Sequence, residues 1–362
     1  MHRASAASRF KPVDIGRLRN CDETPARRVG NLLRSAGSAA THCELVWGAR
    51  VRIMLLVRAI AVLNQKGGVG KTTTVANLGA AVASRGRDIC LIDLDPQAHL
   101  TLHLGVEPGA TAASIYEVLA GEATITSAAM AIAPHLWLVP STIDLAGAEV
   151  ELASAVGREQ LLRDQLLAEA LPYEFVMIDC PPSLGLLTLN ALAAADEVYI
   201  PLQPHFLALQ GLGKLLQTAS LVQKRINPRL RISGVMLCMY DSSARLTGEV
   251  AADVKNFIDR SRGTNTPWSD MRLFATVIRR NVKLAECPSH GKCIFDYEPN
   301  SHGAEDYRAL ADEFLAWVDA SAALQAAGPQ TEQPAGQAEE IAQGTQAEEP
   351  AIAPEAQPGK QP

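Results

Sequence analysis

The middle of the chain, from Met54 to about Val318, alternates short apolar runs with longer amphipathic stretches. The short runs have the length and the branched apolar residues of strands, whereas the longer stretches repeat their apolar positions with the period of a helix. We predict strands over residues 59–63, 89–94, 136–139, 175–179, 198–202, 232–239 and 274–278. We predict helices over residues 72–84, 115–119, 146–151, 159–170, 211–225, 250–260 and 303–319.

Most of the predicted strands are apolar on both faces. Such strands need helices on both sides of the sheet, and strands that alternate with helices pair in parallel. The sequence therefore predicts an α/β fold with a doubly wound, mostly parallel sheet and helices on both faces.

The two ends of the chain differ from this middle in charge and in pattern. Residues 1–53 hold ten Lys/Arg against four Asp/Glu and show no periodicity. Three explanations stay open: a start assigned in error upstream of Met54, a disordered basic arm, or an organelle transit segment. Residues 320–362 consist mainly of Ala, Gln, Glu, Pro and Gly, which predicts a disordered acidic tail. One globular domain over residues 54–319 is the resulting prediction.

Composition narrows the class of protein. The 362 residues carry a formal net charge of −6, and the part between the two ends holds 22 basic against 29 acidic residues. DNA binding would therefore require a local basic patch. The seven cysteines form no CxxC pair, which indicates a reduced, cytoplasmic setting. No apolar run approaches the roughly 20 residues that span a bilayer, which disfavours a membrane protein.

A glycine-rich segment follows the first predicted strand and precedes the first predicted helix. It reads Asn64-Gln65-Lys66-Gly67-Gly68-Val69-Gly70-Lys71-Thr72-Thr73-Thr74. Glycines let backbone N–H groups form a concave nest for polyphosphate, and the helix N-terminus adds its positive dipole end. Lys71 is predicted to bridge the β- and γ-phosphates, and the Thr72 hydroxyl to bind Mg²⁺. The segment departs from the strict P-loop pattern at Gln65, and a second lysine, Lys66, stands beside it.

Three aspartates end predicted strands. Asp93 and Asp95 close the second strand, and Asp179 ends the apolar run of the fourth. Ligands of open α/β sheets bind at the carboxyl ends of the strands, so Asp93 and Asp95 are predicted to face the ligand. An apolar run followed by Asp, as at Asp179, is the Walker B arrangement, in which the carboxylate serves Mg²⁺.

The stretch Lys-Gly-Gly-Val-Gly-Lys-Thr-Thr at 66–73 resembles the deviant Walker A motif shared by ParA and Soj partition ATPases, MinD and the nitrogenase iron protein. The resemblance implies an ATP-dependent homodimer in which Lys66 reaches the partner's ATP. It also implies that Asp95 orients the attacking water, that Asp93 acts in the magnesium shell and that Asp179 holds Mg²⁺ through water. The implied catalytic residues are Lys66, Lys71 and Asp95, the implied ATP-binding residues are Lys66, Gly67, Gly68, Val69, Gly70, Lys71, Thr72 and Thr73, and the implied metal residues are Thr72, Asp93 and Asp179.

Three further segments, over residues 145–152, 181–192 and 280–292, resemble the chromosomal Soj branch of this family. The resemblance spans Arg58 to about Trp317. MinD ends in a basic amphipathic helix that lies on membranes, whereas this chain ends in an acidic tail. The sequence lacks the paired cysteines in Gly-rich loops that the nitrogenase iron protein uses to hold its cluster. A ParA/Soj-type ATPase without a membrane partner is therefore the favoured interpretation.

The same resemblance implies binding to non-specific DNA and to a ParB-like protein. Arg280 matches a family DNA-binding position, and Arg279 and Lys283 enlarge that patch. Arg245 is a shifted counterpart of a second position. Contacts with phosphates release counterions and give salt-sensitive affinity without reading sequence. The implied setting is the cytoplasm, in association with the nucleoid, and the implied process is chromosome or plasmid partition.

Two alternatives stay open. The family's loop after Asp-Pro-Gln usually reads Gly-Asn-Ala-Thr, whereas residues 98–101 read Ala-His-Leu-Thr, which affects the expected hydrolysis rate. An orphan regulator that binds ATP without hydrolysing it is one alternative, and an ATP-dependent metabolic synthetase is the other. The cargo could be a chromosome, a plasmid or a protein cluster. Surface or supporting roles are expected for His99, His103, His205, His290 and His302, which show no paired ligand spacing.

Overall fold

The computed structural model describes residues 57–205 and 208–327, so the interpretations of residues 1–53 and of the chain beyond 327 lie outside the described residues. The strands in this part are β1 (Arg58–Val62), β2 (Ile89–Asp93), β3 (Met130–Ala133), β4 (Leu136–Val139), β5 (Phe175–Asp179), β6 (Glu197–Leu202), β7 (Arg231–Tyr240), β8 (Arg272–Leu273) and β9 (Ile278–Arg279). Their order is β3-β4-β2-β5-β1-β6-β7-β8, and β9 pairs with β7. Among these strands β3 runs antiparallel to β4, and the other pairs are parallel.

Helices alternate with the strands along the chain. In the described ranges they are α1 (Lys71–Ala83), α2 (His99–His103), α3 (Ile115–Leu119), α4 (Ile125–Ala128), α5 (Leu145–Glu151), α6 (Leu161–Ala168), α7 (Leu186–Ala194), α8 (Ala208–Arg225), α9 (Arg245–Ser261), α10 (Val282–Glu286), α11 (Ile294–Tyr297) and α12 (His302–Ala327). Short 3-10 turns lie at Leu152–Ser154, Arg158–Gln160 and Cys287–His290.

The sheet buries side chains on both faces, because alternate residues of a strand point to opposite sides. Ala61 of β1 and Ile92 of β2 belong to one apolar cluster, which α7, α8 and α9 also enter. Ile60 and Leu91 of the same two strands belong to a second cluster, which α1 and α12 enter. The predicted mostly parallel sheet with helices on both faces is confirmed.

The predicted strand over residues 274–278 is wrong. Two short strands, β8 and β9, flank this segment instead. The backbone N–H groups of Ala275 and Thr276 donate to the Glu313 carboxylate, at 2.7 and 2.9 Å. A side chain of α12 therefore satisfies the donors that a neighbouring strand would have taken.

The last helix extends beyond its predicted end at residue 319. Helix α12 continues to Ala327 and so enters the segment that the sequence assigns to the tail. Residues 320–327 read Ala-Ser-Ala-Ala-Leu-Gln-Ala-Ala. Alanine has the highest intrinsic helix propensity, so this run extends the helix without any periodic apolar face. Across the described ranges, no helix combines the length and the apolar character that crossing a bilayer requires.

Candidate nucleotide site

The glycine-rich segment forms a tight turn between β1 and α1. Gly68 and Gly70 have positive φ angles of 72° and 96°, a conformation that costs an L-residue about 1–2 kcal/mol. The carbonyl oxygen of Gly70, directly before α1, accepts from Thr74 N at 2.8 Å. The first N–H groups of a helix have no partner within it, so the N-terminus of this 13-residue helix offers donors to an anion.

The remaining loop residues differ in exposure. Gly67 and Gly68 are exposed, Val69 is buried, and Thr72 and Thr73 are half-buried. The exposed glycines leave the backbone of the loop open to a ligand, while Val69 fixes the loop to the core. The loop therefore offers an open backbone on one side and a buried anchor on the other.

Lys71 is the first residue of α1 and is buried beneath the turn, with 7% of its surface exposed. Its ammonium donates to the carbonyl oxygen of Lys66 at 3.4 Å. Burial lowers the pKa of Lys71, while the neighbouring Asp179, Cys180 and Asp95 act in the opposite direction. The structure thus places a partly desolvated cation beside carboxylates, where a polyphosphate would complete its coordination.

Thr72 and Asp179 meet where α1 begins and β5 ends. Thr72 Oγ1 donates to Asp179 Oδ2 at 2.7 Å. The other oxygen, Asp179 Oδ1, is buried and has no hydrogen-bond partner among the described residues. Such an orphaned oxygen is costly, and hard oxygen donors are the ligands that Mg²⁺ prefers. The hydroxyl and the carboxylate therefore fit a magnesium ion.

Asp93 lies beside Asp179 because the two residues are paired in register on the adjacent strands β2 and β5. Burial raises the pKa of Asp179 well above its usual value, and the neighbouring Asp93 raises it further. Burial also raises the pKa of Asp93, to about 6, against the effect of its hydrogen bonds. Two adjacent buried carboxylates repel each other when both are charged, and a cation between them would relieve that repulsion.

Thr101 supports Asp93 and was not predicted from the sequence. Its backbone N and its Oγ1 both donate to Asp93 Oδ2, at 2.8 and 2.7 Å. Thr101 Oγ1 in turn accepts from Ser141 N at 2.9 Å. The eight-residue separation from Asp93 gives no periodic signal, because the chain must first turn at Ala98 and enter α2.

We expect Thr101→Val to raise the Mg²⁺ concentration for half-maximal ATP hydrolysis by about 10-fold, since groups that orient metal-site carboxylates typically contribute 10–100-fold to metal affinity. Valine keeps the shape but removes the hydroxyl donor. Thr101→Ser keeps the hydroxyl and should behave like the wild type in the same magnesium titration. Equal magnesium requirements in the valine variant and the wild type would show that Asp93 needs no such support.

Asp95 is nearly buried and directs the turn that follows β2. Its Oδ1 accepts from Gln97 N at 3.0 Å, and its carbonyl oxygen accepts from Ala98 N at 2.9 Å. Ala98 adopts a left-handed conformation, with φ 54° and ψ 31°. This is the position at which the resembling family usually has glycine, so the turn is kept here at a cost of about 1–2 kcal/mol.

Lys66, the other lysine of the loop, is exposed, and its ammonium contacts residues that follow β6. Lys66 Nζ lies 2.7 Å from His205 Nε2 and 3.5 Å from Gln203 Oε1. Its backbone N donates to Asn64 Oδ1 at 3.0 Å, and Asn64 Nδ2 donates to the carbonyl oxygen of Pro201 at 2.7 Å. Asn64, which the sequence did not single out, therefore fastens the loop to the end of β6.

The four predicted DNA-binding residues have different surroundings. Arg279 binds Asp306 and Glu305, at 2.6 and 3.0 Å. Lys283 pairs with Glu286 at 2.9 Å, and Arg245 pairs with Glu249 at 2.8 Å. Arg280 is exposed, and no ion pair of its side chain is found within the described part of the chain. Arg280 is thus the predicted residue whose charge is most available to a phosphate.

Helix α2 is joined to the C-terminal segment by a buried contact. His103 Nε2 lies 3.5 Å from Cys287 Sγ, and 1% of His103 is exposed. Burial lowers the pKa of His103 to about 4 and raises that of the Cys287 thiol to about 11. His103 is therefore not a surface residue. It is buried, and its contact with Cys287 gives it a supporting role in packing.

Because His103 is buried in its neutral form, the folded protein should become less stable as the pH falls. Between its usual pKa of 6.5 and its folded value of about 4, the unfolded chain binds a proton that the folded chain does not. The contribution is fully present above pH 6.5 and is lost as the pH falls towards 4. Urea unfolding measures the effect. Between roughly pH 7.5 and pH 5, the free energy of unfolding of His103→Gln should fall by about 2 kcal/mol less than that of the wild type.

His99→Gln is the matched control, because His99 lies exposed on the same helix. The raised pKa of Asp93 acts with the opposite sign in much the same range, so the difference between variants is informative and the wild-type slope alone is not. Identical pH slopes for the wild type and His103→Gln would contradict the assignment.

Comparison with known proteins identifies relatives along most of the chain. Residues 57–232 match the family model described as an AAA domain. The sporulation initiation inhibitor protein Soj of Bacillus subtilis is 45% identical over 260 residues, covering 72% of this chain and 98% of that protein. The chromosome partitioning protein ParA of Myxococcus xanthus is 44% identical over 262 residues, covering 71% of this chain and 88% of that protein.

Two solved structures extend the comparison to the fold. The cobyrinic acid a,c-diamide synthase of Mycobacterium smegmatis, with bound ADP and magnesium, has a TM-score of 0.61 at 38% identity, covering 74% of this chain and 97% of that chain. The cell division ATPase MinD of Pyrococcus furiosus has a TM-score of 0.57 at 27% identity, covering 72% of this chain and 100% of that chain.

Proposed function

This chain belongs to the Soj/ParA family of chromosome-partitioning ATPases, and we propose that it is an ATP-driven switch for the partition of DNA. In the proposed cycle the monomer binds Mg-ATP, two monomers close over two nucleotides, and the dimer binds DNA without sequence preference. A ParB-like partner then stimulates hydrolysis and releases the dimer. Chromosomal or plasmid DNA is the proposed cargo.

The residues of the nucleotide site have separate tasks in hydrolysis. The loop N–H groups and Lys71 bind the phosphates, and the Asp95 carboxylate orients the attacking water. Thr72 and Asp179 would hold Mg²⁺, with Asp93 as a supporting carboxylate. When bound, the ion neutralises charge that develops on the transferred phosphoryl group. Thr101 keeps the Asp93 carboxylate in place throughout.

The contrast between the two lysines of one loop supports the proposed dimer. Lys71 is buried among carboxylates, whereas Lys66 is exposed and its ammonium faces Gln203 and His205. A cation on the outer side of the loop is suited to a phosphate that another subunit presents. Dimerisation would then require the nucleotide, because the partner's ATP supplies the charge that Lys66 binds.

The test of the proposed cycle is DNA binding by the full chain at low salt with ATP, ADP or no nucleotide, measured by fluorescence anisotropy. Binding that requires ATP supports the switch. Binding that is equal under the three conditions, or absent, favours the orphan regulator. Turnover of ATP only with a small carboxylate and an amine donor would favour a synthetase, the function that the Mycobacterium smegmatis structure carries in its name.

Among the basic residues, Arg280→Ala should weaken DNA binding most. We expect about a 10-fold loss of affinity at low salt and a salt slope smaller by about 1 per subunit, since one phosphate contact is removed. Arg262→Ala is the control, because Arg262 is exposed but paired with Asp259. An Arg279→Ala variant should lose stability instead, since the buried Asp306 carboxylate then keeps only the backbone N–H of residue 279 and loses its charged partner. An unchanged salt slope in Arg280→Ala would exclude this patch.

A further inference from the structure

The last two residues of β6, 201 and 202, and the loop residues 203–205 that follow them lie against the outer side of the phosphate loop. Asn64 Nδ2 donates to the carbonyl oxygen of Pro201 at 2.7 Å, and Asn64 Oδ1 accepts from Lys66 N at 3.0 Å. Asn64 is buried, with 6% of its surface exposed. One buried side chain therefore fixes both the backbone of Lys66 and the start of the loop that carries Gln203 and His205.

Gln203 and His205 present acceptors to the Lys66 ammonium. The distances from Lys66 Nζ are 2.7 Å to His205 Nε2 and 3.5 Å to Gln203 Oε1. Burial, and then the nearby Lys66, lower the pKa of His205, which favours the neutral ring, and the 2.7 Å contact places its Nε2 where it can accept from the ammonium. Both acceptors are uncharged. We refer to Gln203 and His205 as the lysine rest.

Contacts between a cation and uncharged acceptors are weaker than contacts with a polyphosphate. A phosphate oxygen forms charge-assisted hydrogen bonds that are roughly twice as strong as neutral ones. The lysine rest can therefore hold Lys66 in a free subunit and still release its ammonium to a nucleotide. A carboxylate at the same place would compete with the phosphate far more strongly.

We propose that Gln203 and His205 are positioning residues that hold Lys66 in the free monomer and so oppose dimerisation until a partner presents ATP. The inference rests on the proposed function, in which Lys66 binds the partner's nucleotide. A contact that exists in the monomer and must break in the dimer stabilises the monomer by the free energy of that contact. Each dimer contains two such contacts, so their effect enters twice.

Removal of the lysine rest should strengthen the ATP-bound dimer. The measurement is the dimer dissociation constant of the full chain with a non-hydrolysable ATP analogue and Mg²⁺, by sedimentation velocity. We expect His205→Ala to lower this constant by about 10-fold, since two hydrogen bonds to a cation no longer have to break. Gln203→Ala should lower it by about threefold, because its contact is longer. Binding of a fluorescent ATP analogue to the monomer should not change.

Two further variants separate positioning from a structural effect. His205→Gln provides an uncharged acceptor of similar reach and should return the dissociation constant towards the wild-type value. Gln210→Ala, at an exposed position near the start of α8, is the surface control.

The outcomes distinguish the inference from the proposed function. A wild-type chain that stays monomeric with the analogue would reject the proposed cycle and this inference with it. A wild-type dimer whose dissociation constant is unchanged or raised by His205→Ala would reject the inference alone. A His205→Gln variant that dimerises as tightly as His205→Ala would also reject it.

Discussion

Replacement of Lys71 by alanine is expected to lower ATP affinity by at least about 100-fold and to abolish hydrolysis, in line with the loss of a preorganised donor to a developing charge. Lys71 is 7% exposed and faces Asp179, Cys180 and Asp95. Without its ammonium the phosphates would enter a site whose nearest side chains are acidic. Titration calorimetry with Mg-ATP measures the affinity, and phosphate release measures the turnover.

Lys66→Ala is the matched control for this prediction, because it removes a lysine from the same loop on its exposed side. It should leave the affinity of the monomer for Mg-ATP within about threefold of the wild type, a change of less than 1 kcal/mol. An equal loss of affinity in both variants would mean that the two lysines serve the same nucleotide. The proposed assignment of one lysine to each subunit's ATP would then fail.

The sequence was sufficient to predict the local geometry of the candidate nucleotide site, because the features that build it are contiguous or end neighbouring strands. The loop between β1 and α1 is contiguous in sequence, and its positive φ angles fall on Gly68 and Gly70. Asp93 and Asp179 each end an apolar strand, so the register of parallel strands brings them together. The apolar runs likewise identify the central strands, which are buried on both faces of the sheet.

The sequence did not reveal contacts between residues that lie far apart along the chain. Thr101 supports Asp93 only because the chain turns at Ala98, a residue whose left-handed conformation its type does not suggest. The sequence predicts Arg279 as a DNA ligand but gives no sign of its pairing with Asp306, 27 positions away. Such pairings depend on tertiary packing and leave no periodic pattern in the sequence.

The missed strands have a related cause. The edge strand β3 reads Met-Ala-Ile-Ala, and its side chains are half-buried or exposed, so it resembles neither a buried strand nor an alternating one, and alanine is depleted in strands. The segment at 274–278 has such a run, but Glu313 takes its backbone donors. The apolar pattern therefore predicted the buried strands at the centre of the sheet. It did not predict the strands at the edge, or the segment whose backbone donors bind the Glu313 side chain.

Asp95→Asn should reduce ATP turnover by about 100-fold or more, the range that a positioned acid–base group typically contributes. Asparagine keeps an oxygen for the Gln97 N–H, which Asp95 Oδ1 accepts at 3.0 Å, so the turn after β2 should be preserved. ATP affinity should not fall, because the change removes a negative charge near Lys71. Phosphate release and titration calorimetry measure the two quantities.

Asp95→Ala provides the comparison, since alanine removes both the charge and the acceptor of the turn. If Asp95 acts on water, both variants should be equally slow, and in both the ATP-bound dimer should stay on DNA for longer than the wild type. Turnover lost in Asp95→Ala but kept in Asp95→Asn would assign the residue to the turn instead. Because Ala98 already strains that turn, the asparagine variant is the one that decides between a chemical and a structural role.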